Sequence, residues 1–542
     1  MMEYPLTLKN LLERNRLLFS KKEVFSRLLA RDFRYTYGDY QKRVRRLANV
    51  LKELGVEPGD RVGTLAWNHH RHLELYFAIP CSGAVMHTLN LRLFPDQLTY
   101  VINHAEDKVI FVDPDLLPLL EGIAPALKTV RHFVVMADEG EPLPETRLSP
   151  VHSYEELLSR APEEYAFPDL DEWSPAAMCY TTATTGNPKG VVYTHRGLFL
   201  HSLACAAADM MGIREEDAVM PVVPMFHANA WGSPFVAVWM GSKLVLPGRR
   251  LDPGSLAGLI EQERVTIALG VPTIWLGLLQ LLEGGAKYDL SSLRFLLVGG
   301  SAAPEGMIRS FREKYGLYVQ HAYGMTETTP LATLTRIKSY LKDAPADRFY
   351  KVAAKQGVIA PGLEMKVVDE AGGEVPWDGK TMGELCLRGP WIAKEYYREP
   401  ERSAEAIRDG WLHTGDIVTV DEEGYIFIMD RAKDLVKSGG EWISSVDLEN
   451  TIMAHPAVAE ATVIGIPHEK WQERPLACVV LKEAYKGKVS KEDILDFLRD
   501  KVARWWIPDD VVFLEAIPKT SVGKFNKKQL RQMYAEGKLA TG

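Results

Sequence analysis

The sequence has few cysteines, no excess of positive charge and no long apolar run, and each scarcity narrows the class of protein. Its five cysteines lie far apart among 542 residues and form no C-x-x-C pair, which argues against a disulfide framework or a zinc site and favours a reducing compartment. The formal net charge of -8 argues against nucleic-acid binding, because such domains usually carry a basic patch. The longest apolar region, 231–246, is interrupted by glycine, by proline and by the charge of Lys243, so no transmembrane segment is predicted. Since the N-terminus also lacks a signal-peptide pattern, we expect a cytoplasmic location.

The length and the alternation of patterns predict more than one domain. A chain of 542 residues exceeds one ordinary core. Strand-like runs at 62–66 and 295–298 alternate with helical patterns, one of them opened by Pro304, which predicts an α/β N-terminal domain with layered parallel sheets over 1–429.

The pattern changes near Asp430. Two helical segments, 446–454 and 491–503, alternate with the strand-like runs 459–465, 476–481 and 511–514. We therefore expect a small α+β C-terminal domain over 436–542, of ordinary domain size. The short charged segment 430–435 between the two domains is predicted to be a hinge linker.

The segment Y-T-T-A-T-T-G-N-P-K-G at 180–190 carries the clearest chemical signal. Hydroxyls and free backbone N–H groups can wrap a polyphosphate, and a lysine can neutralise it. It is not a Walker A loop, because Lys189 is followed by Gly190. The alternative is a polar surface turn. We predict a phosphate-binding loop formed by Thr181, Thr182, Thr184, Thr185, Gly186 and Lys189.

Six further segments occur in a fixed order along the chain, and each alone is an ordinary turn or solvated stretch. They are M-F-H-A-N-A-W at 225–231, G-G-S-A-A at 299–303, Y-G-M-T-E at 323–327, W-L-H-T-G-D at 411–416, K-S-G-G-E-W at 437–442 and P-K-T-S-V-G-K at 518–524. Together with the threonine loop, they resemble the adenylate-forming superfamily, which includes acyl-CoA synthetases, adenylation domains of peptide synthetases and luciferases. The resemblance covers nearly the whole chain.

The resemblance implies a site for ATP and Mg²⁺. It assigns Tyr323 to stacking on adenine, Thr326 to the α-phosphate, Glu327 and Thr181 to the metal, and Asp416 with Arg431 to the ribose. One or two protein carboxylates are what Mg²⁺ usually takes at such sites. The other nucleotide contacts that the resemblance implies are Gly300, Ser301, Ala302, His321, Ala322, Gly324, Met325, Lys433, Lys437 and Trp442.

The resemblance also implies sites for the acid, for CoA and for catalysis. His227 would lie near the carboxylate and phosphate as a catalytic residue, and Trp231 would gate the acyl tunnel beside Gly299 and Gly300. Lys524 would catalyse adenylation, as a point charge on a flexible stem can reach the carboxylate and the α-phosphate. After the small domain turns about Lys433, the residues lining a pantetheine tunnel would be Gly439, Gly440 and Glu441.

One residue departs from the family pattern, and several functional alternatives stay open. Ala183 stands where the family usually has glycine, and a left-handed alanine there would cost about 1–2 kcal/mol. The expected reaction is ATP-dependent conversion of a medium- or long-chain fatty acid to its acyl-CoA. The alternatives are a 3-methylmercaptopropionate-CoA ligase or another short-chain ligase, a luciferase-like oxygenase, and a non-catalytic nucleotide-binding module. CoA is favoured over a carrier protein because the chain ends soon after Lys524, and a homodimer is expected only from the resemblance to the fatty-acyl branch.

Overall fold

A computed structural model describes residues 3–29, 31–181, 187–431, 434–438, 441–519 and 525–539, with the backbone only for Lys437, Glu441 and Trp442. Three sheets lie in the larger N-terminal part of the chain, and a fourth lies in the smaller C-terminal part. No helix within these ranges is long and apolar enough to cross a membrane. All five cysteines are buried and unpaired with one another, as the sequence predicts.

The first sheet has nine strands in the order β16-β15-β14-β13-β12-β10-β11-β1-β2. Its central strands, from β14 to β1, are parallel, and β2, β15 and β16 are antiparallel additions at the edges. The strands are β1 (Glu23–Arg27), β2 (Asp32–Thr36), β10 (Ala218–Pro221), β11 (Lys243–Leu246), β12 (Ile267–Gly270), β13 (Phe295–Val298), β14 (Val319–Gly324), β15 (Leu331–Leu334) and β16 (Val358–Ile359).

The second sheet has seven strands in the order β7-β6-β5-β3-β4-β8-β9. All neighbours are parallel except β8 and β9, which flank the threonine loop as an antiparallel pair. The strands are β3 (Arg61–Leu65), β4 (Val85–Thr88), β5 (Asp107–Val112), β6 (His132–Val135), β7 (Val151–Ser153), β8 (Pro175–Tyr180) and β9 (Gly190–Thr194).

The third sheet is antiparallel throughout, an addition to the two parallel layers that the sequence patterns do not indicate. Its strands β20 and β21 are joined by a short turn at 421–425, whereas a parallel pair needs a long crossover connection. The strands are β17 (Glu364–Val368), β18 (Gly383–Arg388), β19 (Ile407–Arg408), β20 (Trp411–Val420) and β21 (Ile426–Arg431).

The C-terminal part has its own five-stranded sheet and its own apolar clusters, as expected for a small α+β domain. Strands β24 and β25 extend the two predicted central strands by a few residues toward the turn that joins them. The strands are β22 (Val436–Ser438), β23 (Glu441–Ile443), β24 (Val458–His468), β25 (Gln472–Leu481) and β26 (Asp510–Phe513).

Helices cover the sheets, and those that the sequence predicts are present. Pro304 caps α12, which ends at Gly316 in a left-handed conformation, as the Pro and Gly positions indicate. The helix predicted over 491–503 ends earlier, at Arg499, because a turn follows Leu498, its last buried residue. The helices are α1 (Leu8–Leu18), α2 (Tyr37–Glu53), α3 (His70–Cys81), α4 (Pro95–Ala105), α5 (Leu117–Ile123), α6 (Tyr154–Arg160), α7 (His195–Ala206), α8 (Ala228–Trp231), α9 (Ser233–Met240), α10 (Pro253–Glu263), α11 (Pro272–Glu283), α12 (Glu305–Tyr315), α13 (Ala346–Ala353), α14 (Pro400–Ala406), α15 (Ser445–Met453), α16 (Lys491–Arg499) and α17 (Lys527–Ala535).

Candidate active site

Three of the predicted site segments follow or begin on strands of the two parallel sheets. The threonine loop follows β8, the loop 299–303 follows β13, and the Y-G-M-T-E segment begins on β14. Ligands in open α/β sheets bind outside the carboxyl ends of the strands. Tyr396 contacts both Lys189 and Glu327, so the described end of the threonine loop lies beside the Y-G-M-T-E segment, more than a hundred residues further along the chain.

The stem of the threonine loop is closed by hydrogen bonds between its first and last described residues. The Thr181 N–H donates to the Lys189 carbonyl at 2.9 Å, and the Lys189 N–H donates to Thr181 Oγ1 at 3.2 Å. These bonds hold Thr181 and Lys189 opposite each other. Thr182, Ala183, Thr184, Thr185 and Gly186 lie outside the described residues.

A tyrosine connects the loop lysine to the predicted metal ligand. The Lys189 ammonium lies 3.9 Å from the centre of the Tyr396 ring, and the Tyr396 hydroxyl donates to Glu327 Oε1 at 2.6 Å. Burial lowers the pKa of Lys189, although the Glu327 carboxylate opposes that shift. The three residues form a buried or half-buried cation–aromatic–carboxylate cluster at the mouth of the loop.

The Y-G-M-T-E segment is fixed by a glycine that cannot be replaced without moving the backbone. A Cβ atom on Gly324 would lie 1.9 Å from the Pro330 carbonyl oxygen. The Tyr193 hydroxyl donates to the Thr326 carbonyl at 2.8 Å, which ties the segment to β9. Close backbone packing thus places Thr326 and Glu327 beside the strand that leaves the threonine loop.

Asp416, predicted to bind the ribose, sits between two donors. The Tyr323 hydroxyl donates to Asp416 Oδ2 at 2.5 Å, and Arg431 Nε lies 2.7 Å from Oδ1. Asp416 and Arg431 are direct partners across the β20–β21 pair. The Asp416 carboxylate raises the pKa of Arg431, and burial raises the pKa of Tyr323, with Asp416 adding to the shift. A ribose would have to share or replace these two contacts.

The loop after β13 contacts the buried side chain of His321 through the Ser301 carbonyl. This side chain is 1% exposed, and its two ring nitrogens lie 3.1 Å from the Ala354 carbonyl and 3.3 Å from the Ser301 carbonyl. Burial lowers the pKa of His321 to about 4, and a neutral ring, with one N–H, can donate to only one of these two carbonyls at a time. Its contacts support the loop that carries Ser301, and its role as a nucleotide contact stays a prediction.

The segment after His227 is a left-handed helical turn. The φ angles of Ala228, Asn229, Ala230 and Trp231 are 43°, 52°, 48° and 56°, a conformation that costs about 1–2 kcal/mol for each residue other than glycine. Such strain persists only where the surroundings enforce it, and it concentrates at functional sites. The turn presents the Trp231 ring to Gly299, where a Cβ atom would lie 3.0 Å from Cη2 of the indole.

Other predicted site residues have little or no described side-chain geometry. The backbones of Lys437 and Trp442 pair directly across β22 and β23, and Glu441 pairs with Ser438 at the turn between these strands. His227 is half-buried and directly precedes the left-handed turn. Those that lie outside the described residues are Lys433, Gly439, Gly440 and Lys524.

Sequence reasoning did not identify Tyr396 or Tyr193. Both contact the Y-G-M-T-E segment, Tyr396 through the Glu327 carboxylate and Tyr193 through the Thr326 carbonyl. Tyr396 follows the R-G-P turn in a stretch without a composition signal, and Tyr193 resembles any other strand residue. Only the packing of β9 and of the segment after β18 against the site shows their positions.

Comparison with known proteins agrees with this geometry. The profile of the AMP-binding enzyme family matches residues 13–397, and that of the AMP-binding enzyme C-terminal domain matches residues 447–524. A long-chain-fatty-acid–CoA ligase of Thermus thermophilus is 50% identical over 98% of this chain and 96% of its own length. A 3-methylmercaptopropionyl-CoA ligase of Ruegeria pomeroyi is 46% identical over 91% of this chain and 90% of its own length.

A solved structure gives the same picture of the fold. The anthranilate CoA ligase AuaEII in complex with anthranoyl-AMP superposes with a TM-score of 0.88, at 26% identity and 99% coverage of both chains. The chain belongs to the AMP-binding enzyme family. Within it, the chain is an acid–thiol ligase of the AMP-forming acyl-CoA synthetase type.

Proposed function

We propose that this enzyme activates a medium- or long-chain fatty acid and transfers the acyl group to CoA. The observation that supports this most is the convergence of two groups: Lys189, Tyr396 and Glu327 beside the ends of parallel strands, and the Asp416–Arg431 pair of the antiparallel sheet, which Tyr323 of β14 contacts. The first group suits a polyphosphate and the second suits a ribose. ATP is thereby oriented with its α-phosphorus between them.

The Glu327 carboxylate fits the role of a Mg²⁺ ligand. It is 6% exposed, and its Oε1 atom accepts one hydrogen bond from Tyr396. A carboxylate has about four acceptor positions, so Glu327 keeps capacity for a cation, and Thr181 lies at the stem of the same loop. Glu327 and Thr181 would hold Mg²⁺, which when bound would neutralise charge on the phosphates, and Lys189 supplies the protein's own positive charge to them.

The reaction proceeds in two half-reactions on one site. The carboxylate oxygen of the acid attacks the α-phosphorus, and pyrophosphate leaves; Lys524 and His227 act in this step. The small domain then turns about the segment 430–435, with Lys433 as pivot, and brings Gly439, Gly440 and Glu441 to the site. The CoA thiolate attacks the acyl carbon, and AMP leaves. Alternation of this kind lets one pocket serve two reactions.

The acyl side of the site is formed around Trp231. The indole packs against Gly299 and is 8% exposed, among apolar residues of the large core cluster that include Met225 and Phe235. This apolar setting supports a fatty acid as substrate, and the left-handed turn supports a gate, since a rearrangement of this segment would relieve its local backbone strain. The second candidate is 3-methylmercaptopropionate, the acid named in one close relative.

Substrate profiling of two variants tests this assignment. Acids from butyrate to palmitate, and 3-methylmercaptopropionate, are compared by AMP formation with the wild type, Trp231→Ala and the control Trp377→Ala, an exposed tryptophan elsewhere. We expect wild-type kcat/KM to rise with chain length, and KM for long acids to change in Trp231→Ala alone. A preference for 3-methylmercaptopropionate would favour the second candidate, and an unchanged chain-length profile in Trp231→Ala would contradict the gate.

The homodimer and the cytoplasmic location stay predictions.

A further inference from the structure

Strand β20 has a β-bulge at the turn that carries Asp416. Its pairing with β18 is regular up to His413 and resumes at Ile417, so three residues of β20, 414–416, lie opposite the single residue Leu385 of β18. Bulges of this kind occur beside active sites, where they re-aim a side chain. The bulge, and not the regular alternation of the strand, therefore sets the direction of the Asp416 carboxylate.

Thr414 holds the backbone of this bulge from within. Its hydroxyl donates to the Leu385 carbonyl at 2.8 Å and accepts from the Asp416 N–H at 3.1 Å. The φ angle of Gly415 is 69°, a left-handed conformation that glycine adopts without a steric penalty. The T-G-D sequence thus suits the bulge, and Thr414 fixes one side of it to β18.

Glu384 on β18 fixes the other side of the bulge. Its Oε1 atom accepts from the Gly415 N–H at 3.1 Å, and its Oε2 atom lies 2.8 Å from His413 Nδ1. Arg408 Nη2 lies 3.6 Å from the same Oε2 atom. One carboxylate therefore bridges the residue before the bulge and the glycine at its centre.

The bulge is continuous with the carboxylate that is proposed to bind the ribose. Tyr323 and Arg431 contact the two Asp416 oxygens at 2.5 and 2.7 Å, and a carboxylate offers about four acceptor positions in all. About two positions therefore remain for ribose hydroxyls, and their direction depends on the bulge backbone as well as on these two partners. Release of the Gly415 N–H from Glu384 would allow that backbone to move.

Stability of the fold does not by itself explain the Glu384 carboxylate. The Glu384 side chain is 25% exposed and that of Arg408 is 54% exposed, and ion pairs at the surface contribute little to stability. A glutamate on the adjacent strand β17, Glu364, pairs with Arg388 at the surface. Glu364 is a matched control, since it is the same residue type in an ion pair of the same sheet.

We propose that Glu384 is a positioning residue that determines the preference of the site for ribose over deoxyribose, because it holds the bulge that directs Asp416. The proposal rests on the ribose role proposed above for Asp416. Glu384 acts through the Gly415 backbone and not by contact with the nucleotide. Its loss should lower the preference for an intact ribose, whereas a general loss of stability would reduce activity with ribo- and deoxyribonucleotides in equal proportion.

The experiment compares ATP with 2′-deoxy-ATP and 3′-deoxy-ATP in acid-dependent pyrophosphate release by full-length variants. The ratio of kcat/KM for ATP to that for each deoxynucleotide measures the contact to the missing hydroxyl, and a hydrogen bond to a charged group predicts a wild-type ratio of about 10- to 150-fold. We expect Glu384→Ala to lower this ratio about 10-fold or more. Glu384→Gln, which keeps an acceptor for the Gly415 N–H, should recover part of the ratio, and the control Glu364→Ala should keep the wild-type ratio.

Two further variants keep the test decisive. If Glu384→Ala does not fold, Glu384→Asp takes its place, because it keeps the charge on a side chain too short to bridge Gly415 and His413. A wild-type ratio in either variant, when Asp416→Ala has lost the ratio, would overturn the proposal. A ratio that survives in Asp416→Ala would refute the ribose role of Asp416, and with it this proposal. A wild type that releases no pyrophosphate would instead refute the proposed function as a whole.

Discussion

Replacing Tyr396 by phenylalanine removes one hydroxyl and keeps the ring that Lys189 covers. The hydroxyl donates to the buried Glu327 carboxylate at 2.6 Å, and hydrogen bonds to charged groups contribute about 1.5–3 kcal/mol. If the transition state needs Glu327 in its present place, kcat/KM for MgATP should fall about 10- to 150-fold in Tyr396→Phe. The assay is acid-dependent ATP–pyrophosphate exchange at varied MgATP.

Two further variants separate the ring from the hydroxyl. Tyr396→Leu also removes the aromatic face 3.9 Å from Lys189, and a cation–π contact adds about 0.5–2 kcal/mol. Tyr397→Phe is the matched control, since it deletes the same atom one residue along the chain. If Tyr396→Phe behaves like Tyr397→Phe, the hydroxyl does not hold Glu327 for catalysis, and the reasoning fails.

Three other changes test separate parts of the account. Gly324→Ala would place a Cβ atom 1.9 Å from the Pro330 carbonyl oxygen. Overpacking of this kind costs about 1–3 kcal/mol, so the melting temperature and the affinity for ATP should both fall. An unchanged melting temperature and affinity would contradict the close approach of the two backbones. Burial, with a contribution from Asp430, raises the pKa of Asp447 to about 6. Because the pKa in the folded state exceeds that in the unfolded state, ionisation of Asp447 destabilises the fold as the pH rises from about 4 to 6. The free energy of unfolding of Asp447→Asn should therefore exceed that of the wild type by about 1–3 kcal/mol at neutral pH, and should equal it near pH 4. Urea unfolding at both pH values checks this, and an equal gain at both would refute it. Because burial lowers the pKa of Lys189, the wild-type KM for ATP should begin to rise at a lower alkaline pH than expected for an ordinary lysine. In Lys189→Arg, KM for ATP should stay constant over the same pH range, because arginine keeps its charge. The same dependence of KM on pH in both proteins would contradict a contact of Lys189 with phosphate.

Much of the fold is readable from local patterns in the sequence. The buried run 295–298 coincides with β13, and the Pro and Gly signals place α12 to within a residue. The antiparallel sheet that contains β20 was not predicted, although the short turn at 421–425 between β20 and β21 indicates a hairpin rather than a parallel crossover. Strands β22 and β23 are three residues each, too short for any periodicity.

The candidate site likewise contains residues that the sequence indicates and residues that only tertiary packing reveals. Hydroxyls, glycines and a lysine indicate the threonine loop, whereas Y-G-M-T-E is indicated by the resemblance to the adenylate-forming superfamily; Tyr396 joins Lys189 of the loop to Glu327 of that segment. Tyr396 and the left-handed turn before Gly232 follow from tertiary packing, since a tyrosine and an A-N-A-W run indicate no such geometry locally. The Glu384 contact to Gly415 spans 31 positions, and nothing in the local pattern separates that glutamate from Glu364.

The central claim is that the acid is activated by attack on the α-phosphorus of ATP, and the fate of the carboxylate oxygen tests it most directly. A fatty acid labelled with oxygen-18 in its carboxyl group is converted with ATP and CoA, and the products are analysed by mass spectrometry. The account predicts one labelled oxygen in AMP, together with unlabelled pyrophosphate. Label in inorganic phosphate, with ADP as the nucleotide product, would contradict it.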